Sequence, residues 1–276
     1  MGGTINSNEI IFLGTAGGRF AVNKQLRSSG GIVLRLHNIQ FHLNPGPGAL
    51  VKAREYGVNL RGNNVLLVSS AQLDHCNDIN AVISAMTHDG LDKSGILIAS
   101  KSVMTGVDGE RPYITRFHRK CLDKFLSLEA GNTVKFGKNI ELRTLKTKHK
   151  DATNLGFKLV SHNLSIGYTG DTVFFPELIE ELKGSDILIL NNLEPFGYSS
   201  ENSLSSDDSL RIISAVRPKL AILTHFGQKI IEENPIYQAR EIQRRTNIQT
   251  VAARDGLVID PMTLSASLKK RQLRVD

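Results

Sequence analysis

Residues 65–75 read VLLVSSAQLDH and change abruptly from apolar to polar side chains. The run from Val65 to Ser69, apolar in its first four positions, predicts a buried strand that ends where the polar residues begin. The segment closes on Asp74 and His75, a carboxylate beside an imidazole. An isolated pair of this kind is more often a capped loop or a surface pair than a metal site, so its meaning depends on the rest of the chain.

Three later apolar strands are also followed by a carboxylate or an imidazole. The strands lie at residues 140–145, 164–168 and 220–224, and the side chains that follow them are His149, Asp151, Asp171 and His225. Neutral imidazole nitrogen and hard carboxylate oxygen together suit a borderline divalent cation such as Zn²⁺, Mn²⁺ or Fe²⁺. Four strands that deliver such side chains at the same end therefore predict a metal centre.

Apolar periodicity divides the chain into two halves that repeat one order of elements, antiparallel hairpins first and strand-helix units after them. The predicted strands are 10–13, 30–36, 39–43, 65–69, 140–145, 156–160, 164–168, 186–190 and 220–224, and the predicted helices are 49–56, 78–86, 176–183 and 206–216. Two such halves predict an α/β fold with a pair of sheets covered by helices. Because neither a solenoid repeat nor a low-complexity linker interrupts the sequence, we expect one domain over residues 1–276.

Composition limits the partners and the location of the protein. The formal net charge of +7 favours anionic partners such as phosphoesters or nucleic acid, although part of the excess lies in residues 269–274, a run more typical of a solvated tail. No run reaches the roughly 20 apolar residues that span a bilayer. Residues 1–9 lack a basic segment followed by an apolar one. We therefore expect a cytoplasmic protein that does not bind membranes.

Three short motifs follow one another in order: residues 13–18 read LGTAGG, residues 170–172 read GDT and residues 223–226 read LTHF. In order and spacing they resemble the metallo-β-lactamase superfamily of metal-dependent hydrolases, above all its ribonuclease Z-like and phosphodiesterase-like branches. The resemblance covers nearly the whole chain. It implies a four-layer αβ/βα sandwich with a metal centre.

The sequence departs from this family at the signature HxHxDH, since residues 70–75 read SAQLDH. Ser70 and Gln72 replace two histidines that, with His149, would hold the first of two metals. Asn44 stands where the family usually has an aspartate that supports the histidine loop. Its replacement removes a charged partner of the kind that orients ligating imidazoles. Three changes in one neighbourhood indicate a remodelled site.

The resemblance implies that the ligands of the second metal are kept. They are Asp74, His75, Asp171 and His225, with His149 as a fifth ligand or a substrate contact. This set predicts one bound divalent ion, zinc, with manganese or iron as alternatives. The implied catalytic residues are Asp74, as a ligand of the catalytic ion, and His149, which would stabilise or protonate the leaving oxygen.

Several other polar residues could have either a functional role or an ordinary structural role. Ser70 could be a nucleophile beside His75, but no oxyanion loop or base-orienting partner is evident, so loss of a metal ligand is the stronger interpretation. Gln72 could hold a water or a phosphate where relatives hold a metal. Cys76 could be a ligand, yet a buried inert thiol is favoured. Asp255 could reach the pocket, although a turn aspartate is the default.

The glycines of residues 14–18 and the remaining histidines are likewise expected to have structural roles. Residues 14–18 contain three glycines but lack the GxxxxGK[ST] pattern, so they predict a tight turn rather than a phosphate loop. The histidines without metal-type neighbours are expected on the surface or in the packing. They are His37, His42, His88, His118 and His162.

Two functions follow from the resemblance. The first is a metal-dependent hydrolase with a degenerate, mononuclear site that acts on a phosphoester or a related anionic substrate, nucleic acid included. The second is a catalytically inactive member that uses the fold to bind a ligand, nucleic acid or a partner protein, since fold does not guarantee activity. Assembly into a homo-oligomer is left open by the sequence.

Overall fold

The computed structural model describes residues 8–269, and these fall into two compact units. Within the described residues, the first unit is built from residues 8–15, 27–128 and 254–269, and the second from Ala16–Leu26 and Glu129–Ala253. Residues 1–7 of the chain start and residues 270–274 of the basic run lie outside the described residues. The single domain expected over residues 1–276 stays a prediction.

Sixteen strands and ten α-helices are present within the described residues. The strands are β1 (Glu9–Gly14), β2 (Ser29–Leu36), β3 (Ile39–Leu43), β4 (Val65–Val68), β5 (Ile96–Ala99), β6 (Lys124–Ser127), β7 (Thr133–Phe136), β8 (Ile140–Lys146), β9 (Leu155–Ser161), β10 (Ser165–Tyr168), β11 (Ile187–Glu194), β12 (Leu204–Ser205), β13 (Leu220–Thr224), β14 (Thr250–Ala252), β15 (Leu257–Ile259) and β16 (Ala266–Leu268). The helices are α1 (Gly18–Asn23), α2 (Ala49–Glu55), α3 (Leu73–Cys76), α4 (Ile79–Thr87), α5 (Lys101–Thr105), α6 (Arg116–Lys120), α7 (Pro176–Leu182), α8 (Ser206–Val216), α9 (Gln228–Glu232) and α10 (Pro235–Thr246).

The first unit is organised around a mixed sheet with the strand order β16-β15-β1-β2-β3-β4-β5-β6. Strands β1 to β3 pair antiparallel, and β3 to β6 pair parallel. The β2–β3 hairpin turns at His37 and Asn38, whose φ angles of 48° and 65° suit a two-residue turn. Helices α2 and α4 pack on the sheet, with Ala53 and Ile83 in the same buried cluster as Leu66. Helix α3 follows the carboxyl end of β4.

The second unit has a sheet with the strand order β14-β13-β11-β10-β9-β8-β7, and β12 pairs with β11 outside this path. Strands β7 to β10 pair antiparallel, whereas β10, β11, β13 and β14 pair parallel. Helices α7, α8 and α10 bury Leu178, Ile212 and Ile242 in one cluster with Leu190 and Leu223 of the sheet. Because β10 and β13 both flank β11 in parallel, the loops that follow them leave the sheet at one edge.

Each strand and helix predicted from the sequence is present, and each begins within one residue of its predicted start. The prediction was wrong at the end of β11, which continues through Asn191 and Asn192 to Glu194 because both amides are buried and hydrogen-bonded. Strand β6 was missed because most of its side chains are exposed. Helix α10 was missed because its apolar buried face is narrow, with Ala239 and Ile242 as main members.

The described helices are short. The longest, α10, has 12 residues, against the roughly 20 that span a bilayer. Within residues 8–269, no helix combines the length and the apolar character that a membrane crossing requires. The expected cytoplasmic location stays a prediction.

Candidate metal centre

In the first unit, Asp74 and His75 lie on a single helical turn that follows β4. The backbone N–H groups of His75 and Cys76 both donate to the carbonyl oxygen of Gln72, at 3.0 Å each, and so close the turn. Asp74 and His75 are 9% and 2% exposed. The change from strand to helix thus places a carboxylate and an imidazole side by side in a buried position.

Two serine hydroxyls contact the same ring nitrogen of His75. Ser69 Oγ and Ser70 Oγ each lie 3.0 Å from His75 Nδ1, and both residues are fully buried. A ligating imidazole is commonly oriented by a hydrogen bond at its other ring nitrogen. In the tautomer whose Nδ1–H donates to the serine oxygens, Nε2 carries the lone pair that a metal needs. Since Ser69 makes the same contact as Ser70, the arrangement favours a supporting role for Ser70 over a nucleophilic one.

Asn44 supports the loop that carries these serines. Its side-chain Oδ1 accepts a hydrogen bond of 2.9 Å from the backbone N–H of Ser69, and its own N–H donates to the Leu67 carbonyl oxygen at 2.8 Å. The φ of Asn44 is 50°, a left-handed conformation that asparagine tolerates better than most residues. Asn44 thus holds the loop through an uncharged amide contact to the backbone of Ser69.

In the second unit, Asp171 and His225 follow the carboxyl ends of β10 and β13. Gly170 precedes Asp171 with φ 63°, and a Cβ there would lie 2.5 Å from the Leu155 carbonyl oxygen, so only glycine fits this turn. His225 Nε2 lies 3.5 Å from Asp171 Oδ1. Two zinc bonds of the usual length, at the tetrahedral angle, separate their ligand atoms by about 3.3 Å. The pair therefore fits two ligands of one ion.

The requirement for glycine at position 17, near the end of β1, comes from the neighbouring His225 side chain. A Cβ at Gly17 would lie 2.2 Å from His225 Nδ1, so the imidazole occupies the space that a larger residue would need. The Gly17 N–H donates to the Phe226 carbonyl oxygen at 3.0 Å, which fixes this contact. The predicted tight turn was wrong: Gly14 ends β1, Ala16 forms an isolated parallel bridge with Phe226, and Gly18 begins α1. The segment instead lies against the His225 side chain through Gly17.

His149 lies in the loop between β8 and β9. Its Nδ1 accepts a hydrogen bond of 3.0 Å from the backbone N–H of Asp151. A backbone N–H can only donate, so the neutral ring carries its proton on Nε2. Asp151 itself accepts from the N–H and hydroxyl of Thr153, at 2.9 and 2.7 Å, which makes it a turn residue.

The His149 loop is tied to the loop that holds Asp171. The Lys148 N–H donates to Thr172 Oγ1 at 2.9 Å, and the Val173 N–H donates back to the Lys148 carbonyl oxygen at 3.0 Å. Asn154 Nδ2 donates to the Asp171 carbonyl oxygen at 2.5 Å. These contacts bring two of the predicted site segments of the second unit together.

Two supporting residues were missed by the sequence analysis. Asn191 Nδ2 donates to Asp171 Oδ1 at 2.7 Å, and Asn154 holds the backbone of the same aspartate. The available signal was an asparagine at a buried position of an apolar strand, which requires hydrogen-bond partners. Asn154 lies at the end of a polar loop, where the sequence offers no comparable contrast.

The alternative candidates Cys76 and Asp255 have structural roles. The Cys76 thiol is buried and donates to the Gln72 carbonyl oxygen at 3.1 Å. Burial, with a smaller contribution from the Asp74 charge, raises the pKa of this thiol, which opposes a thiolate ligand. Asp255 accepts from Thr15 Oγ1 and from the Ser28 N–H, both at 2.8 Å, as a turn aspartate does.

The remaining histidines agree with their predicted surface or packing roles. His42 is fully buried, and its Nε2 contacts the Gly30 carbonyl oxygen at 2.8 Å. Burial lowers the pKa of His42 to about 4, so this ring is neutral at neutral pH. The half-buried His118 contacts the Ser84 and Thr115 hydroxyls. The exposed ones are His37, His88 and His162.

Comparison with known proteins places these features in a family. The model of the β-lactamase superfamily domain matches residues 40–226. An uncharacterized protein of Methanocaldococcus jannaschii is 33% identical over 91% of this chain and 94% of its own length. Ribonuclease Z of Sulfolobus acidocaldarius is 23% identical over 86% of this chain and 94% of its own.

A solved structure shows the same fold. The metallo-β-lactamase fold protein YhfI from Bacillus subtilis superposes with a TM-score of 0.76 at 17% identity, over 92% of this chain and 99% of that one. The predicted metallo-β-lactamase type of α/β fold is therefore confirmed. At this level of identity the likeness concerns the fold alone.

Proposed function

The chain belongs to the β-lactamase superfamily, and from this premise we propose that it is a metal-dependent hydrolase with a single divalent ion. The ion is held by Asp74, His75, Asp171 and His225, all of which carry metal-type donor atoms. The observation that carries the proposal is the 3.5 Å between His225 Nε2 and Asp171 Oδ1, a spacing that suits two ligands of one ion. Zinc is the metal expected for this donor set, with manganese or iron as alternatives.

Three features support a mononuclear site. Ser70 and Gln72 occupy the positions of two ligating imidazoles. His149, the third member of that set, accepts at Nδ1 from the Asp151 backbone and so keeps its proton on Nε2. A protonated nitrogen does not bind a metal, so this tautomer favours His149 as a hydrogen-bond donor rather than as a fifth ligand.

The chemistry divides between the ion and the side chains around it. When bound, the ion lowers the pKa of a water and polarises a substrate oxygen. His149 Nε2–H donates a hydrogen bond that stabilises the negative charge developing on the leaving oxygen, and the Asp151 N–H keeps the neutral ring in the tautomer that can do so. In the first unit, Ser69 and Ser70 orient His75, which presents Nε2. Asp74 acts in catalysis as a ligand of the ion.

Charge supports an anionic substrate, a phosphoester or nucleic acid. The net charge is +7, and Lys146, Lys148 and Lys150 flank His149 as exposed cations. A relative that the chain matches over most of its length carries the name Ribonuclease Z. Phosphate oxygens are the groups that such lysines bind.

The test is turnover by zinc-loaded protein on bis(4-nitrophenyl) phosphate and on a single-stranded RNA oligonucleotide. We expect zinc-dependent cleavage of at least one substrate, lost in Asp171→Ala. The matched control is Asp207→Ala in the same unit, since the half-buried Asp207 carboxylate accepts from the Gly197 N–H and lies outside the proposed ligand set, so its loss should leave the rate unchanged. Cleavage that is equal with and without metal, or equal in the two variants, would overturn the proposal.

A second candidate function is a non-catalytic protein that binds a ligand, nucleic acid or a partner. The replacement of two ligating imidazoles by Ser70 and Gln72 favours it, because two-metal members depend on an ion at that position. Metal content and turnover separate the two functions. About one ion per chain with turnover supports the hydrolase, whereas binding of the RNA oligonucleotide without any turnover supports the second candidate.

A further inference from the structure

Two asparagines interrupt the apolar strand β11. Asn191 and Asn192 follow the run ILIL and are 1% and 0% exposed. Neighbouring residues on a strand direct their side chains to opposite faces of the sheet. The two side chains therefore contact different parts of the structure, although both are buried asparagines of the same strand.

Asn191 is directed at the candidate metal centre. Its Nδ2 donates to Asp171 Oδ1 at 2.7 Å and to the Tyr168 hydroxyl at 2.9 Å. A carboxylate only accepts hydrogen bonds, so the amide nitrogen, and not its oxygen, must face Asp171. The Asn191 backbone N–H donates to Thr169 Oγ1 at 3.0 Å, in the turn that leads to Asp171. Backbone and side chain thus hold the same turn.

The hydrogen bond reaches the oxygen that faces the other ligand. Asp171 Oδ1, which accepts from Asn191, is also the oxygen 3.5 Å from His225 Nε2. A carboxylate oxygen has two lone pairs, so it can accept this hydrogen bond and bind a metal together. Rotation of the carboxylate away from His225 would break the bond to Asn191.

We propose that Asn191 is a positioning residue that fixes the Asp171 carboxylate for metal binding. The inference rests on the proposed metal site. Partners that orient ligating groups in this way typically contribute about 10 to 100-fold in metal affinity. The role differs from that of a buried amide that merely satisfies its own hydrogen bonds, because it predicts an effect on the metal that exceeds any effect on folding.

Asn192 provides the matched control. Its Nδ2 donates to Ser206 Oγ at 3.1 Å and to the Glu194 carbonyl oxygen at 3.2 Å, and its Oδ1 accepts from Ser209 Oγ at 2.5 Å. These contacts attach β11 to the start of α8. Replacement of either asparagine by alanine removes buried hydrogen bonds, but only the Asn191 change removes one from a proposed ligand.

The experiment is calorimetric titration of the metal-free full chain with Zn²⁺, together with thermal unfolding of the same metal-free samples. We expect Asn191→Ala to weaken zinc binding by about 10 to 100-fold. Asn192→Ala should stay within about 3-fold of the natural protein while lowering the thermal midpoint at least as much, because it loses more hydrogen bonds. Asn191→Ser, with a donor too short to reach Asp171, repeats the test if the alanine variant fails to fold.

The outcomes separate the inference from its premise. Zinc affinity that is equal in the natural protein and both Asn191 variants would overturn the positioning role and leave the metal site intact. Equal losses in the Asn191 and Asn192 variants would also overturn it, since a general loss of stability would then explain both. Absence of zinc binding by the natural protein would overturn the metal site, and the role of Asn191 with it.

Discussion

The segment after β4 in the first unit and the strand ends of the second unit contribute ligands of the same chemical kinds, yet their sequences have changed to different extents. In the first unit, Ser70, Gln72 and Asn44 differ from the family pattern, and only Asp74 and His75 keep it. In the second unit the GDT and LTHF motifs match the pattern that the resemblance implies, and the proposed ligands Asp171 and His225 are supported by Asn191 and Gly17. The proposed loss of one metal site therefore falls mainly on residues of the first unit.

On the proposed loss of the first ion, a former ligand position takes a supporting role. Ser70 stands where the resemblance implies a ligating histidine, and its hydroxyl contacts His75 Nδ1 together with that of Ser69. A hydroxyl is too short to replace an imidazole as a ligand, but it can orient the imidazole that remains. The replaced position thus supports the ion that we propose to be retained.

The largest expected effect separates Asp171 from His149. Asp171→Ala should abolish zinc binding and reduce turnover to background, because a proposed ligand is removed from its pairing with His225. His149→Ala should lower the rate by about 10² to 10³-fold, the usual cost of removing one hydrogen-bond donor to a developing negative charge, while zinc affinity stays within a few-fold. Calorimetry and initial rates measure both. Equal zinc affinities or equal residual rates in the two variants would contradict the assigned roles.

A fall in pH should lower the stability of the first unit through protonation of His42. The folded pKa of about 4 lies below the unfolded value of about 6.5, so the unfolded chain binds the proton first as the pH falls. The free energy of unfolding should therefore decrease by about 3 kcal/mol between pH 6.5 and pH 4 on account of this residue. Urea unfolding at several pH values measures the loss, and His42→Gln should remove this part of it. An unchanged pH profile in that variant would contradict the assignment.

A rebuilt first metal site should require a carboxylate at position 44 as well as the two restored histidines. Ser70→His with Gln72→His completes the missing imidazoles, yet Asn44 offers them no charged partner. Addition of Asn44→Asp should tighten binding of a second ion by about 10 to 100-fold over the double change. Calorimetric titration of both variants provides the measurement. The same second-site affinity in both would mean that position 44 only holds the Ser69 backbone.

The smallest expected effect concerns the two serines. Ser69 and Ser70 contact the same nitrogen of His75, so each can compensate for the other. Ser69→Ala and Ser70→Ala should each weaken zinc binding by less than about 2-fold, whereas the double change should approach about 10-fold, more than the roughly 4-fold that two independent effects would give. The same titration detects this non-additivity. Additive losses would indicate that the hydroxyls orient His75 independently.

The sequence was sufficient for the fold class, and apolar runs located nine of the sixteen described strands. The polar residues after β4, β10 and β13 predicted where Asp74, Asp171 and His225 would stand, and their role as metal ligands stays a prediction. This worked because burial of a strand and exposure of its end leave a strong contrast along the chain. The family resemblance then supplied the grouping of the ligands.

The supporting contacts could not be predicted in the same way. A polar residue normally marks the end of a buried strand, so Asn191 was taken to end β11, although its hydrogen bonds make it part of the strand. The tautomer of His149 depends on a backbone N–H two residues later, which only the loop conformation brings to Nδ1. Tertiary structure determines such contacts, so the periodicity of apolar residues along the sequence does not predict them.

Metal stoichiometry tests the central claim most directly. Native mass spectrometry of the full chain, purified without chelator and then saturated with zinc, counts the ions bound to each molecule. We predict one ion per chain, absent from Asp171→Ala and retained in His149→Ala. Two tightly bound ions in the natural protein would contradict the loss of the first site, and a metal-free chain at saturating zinc would contradict the retention of the second.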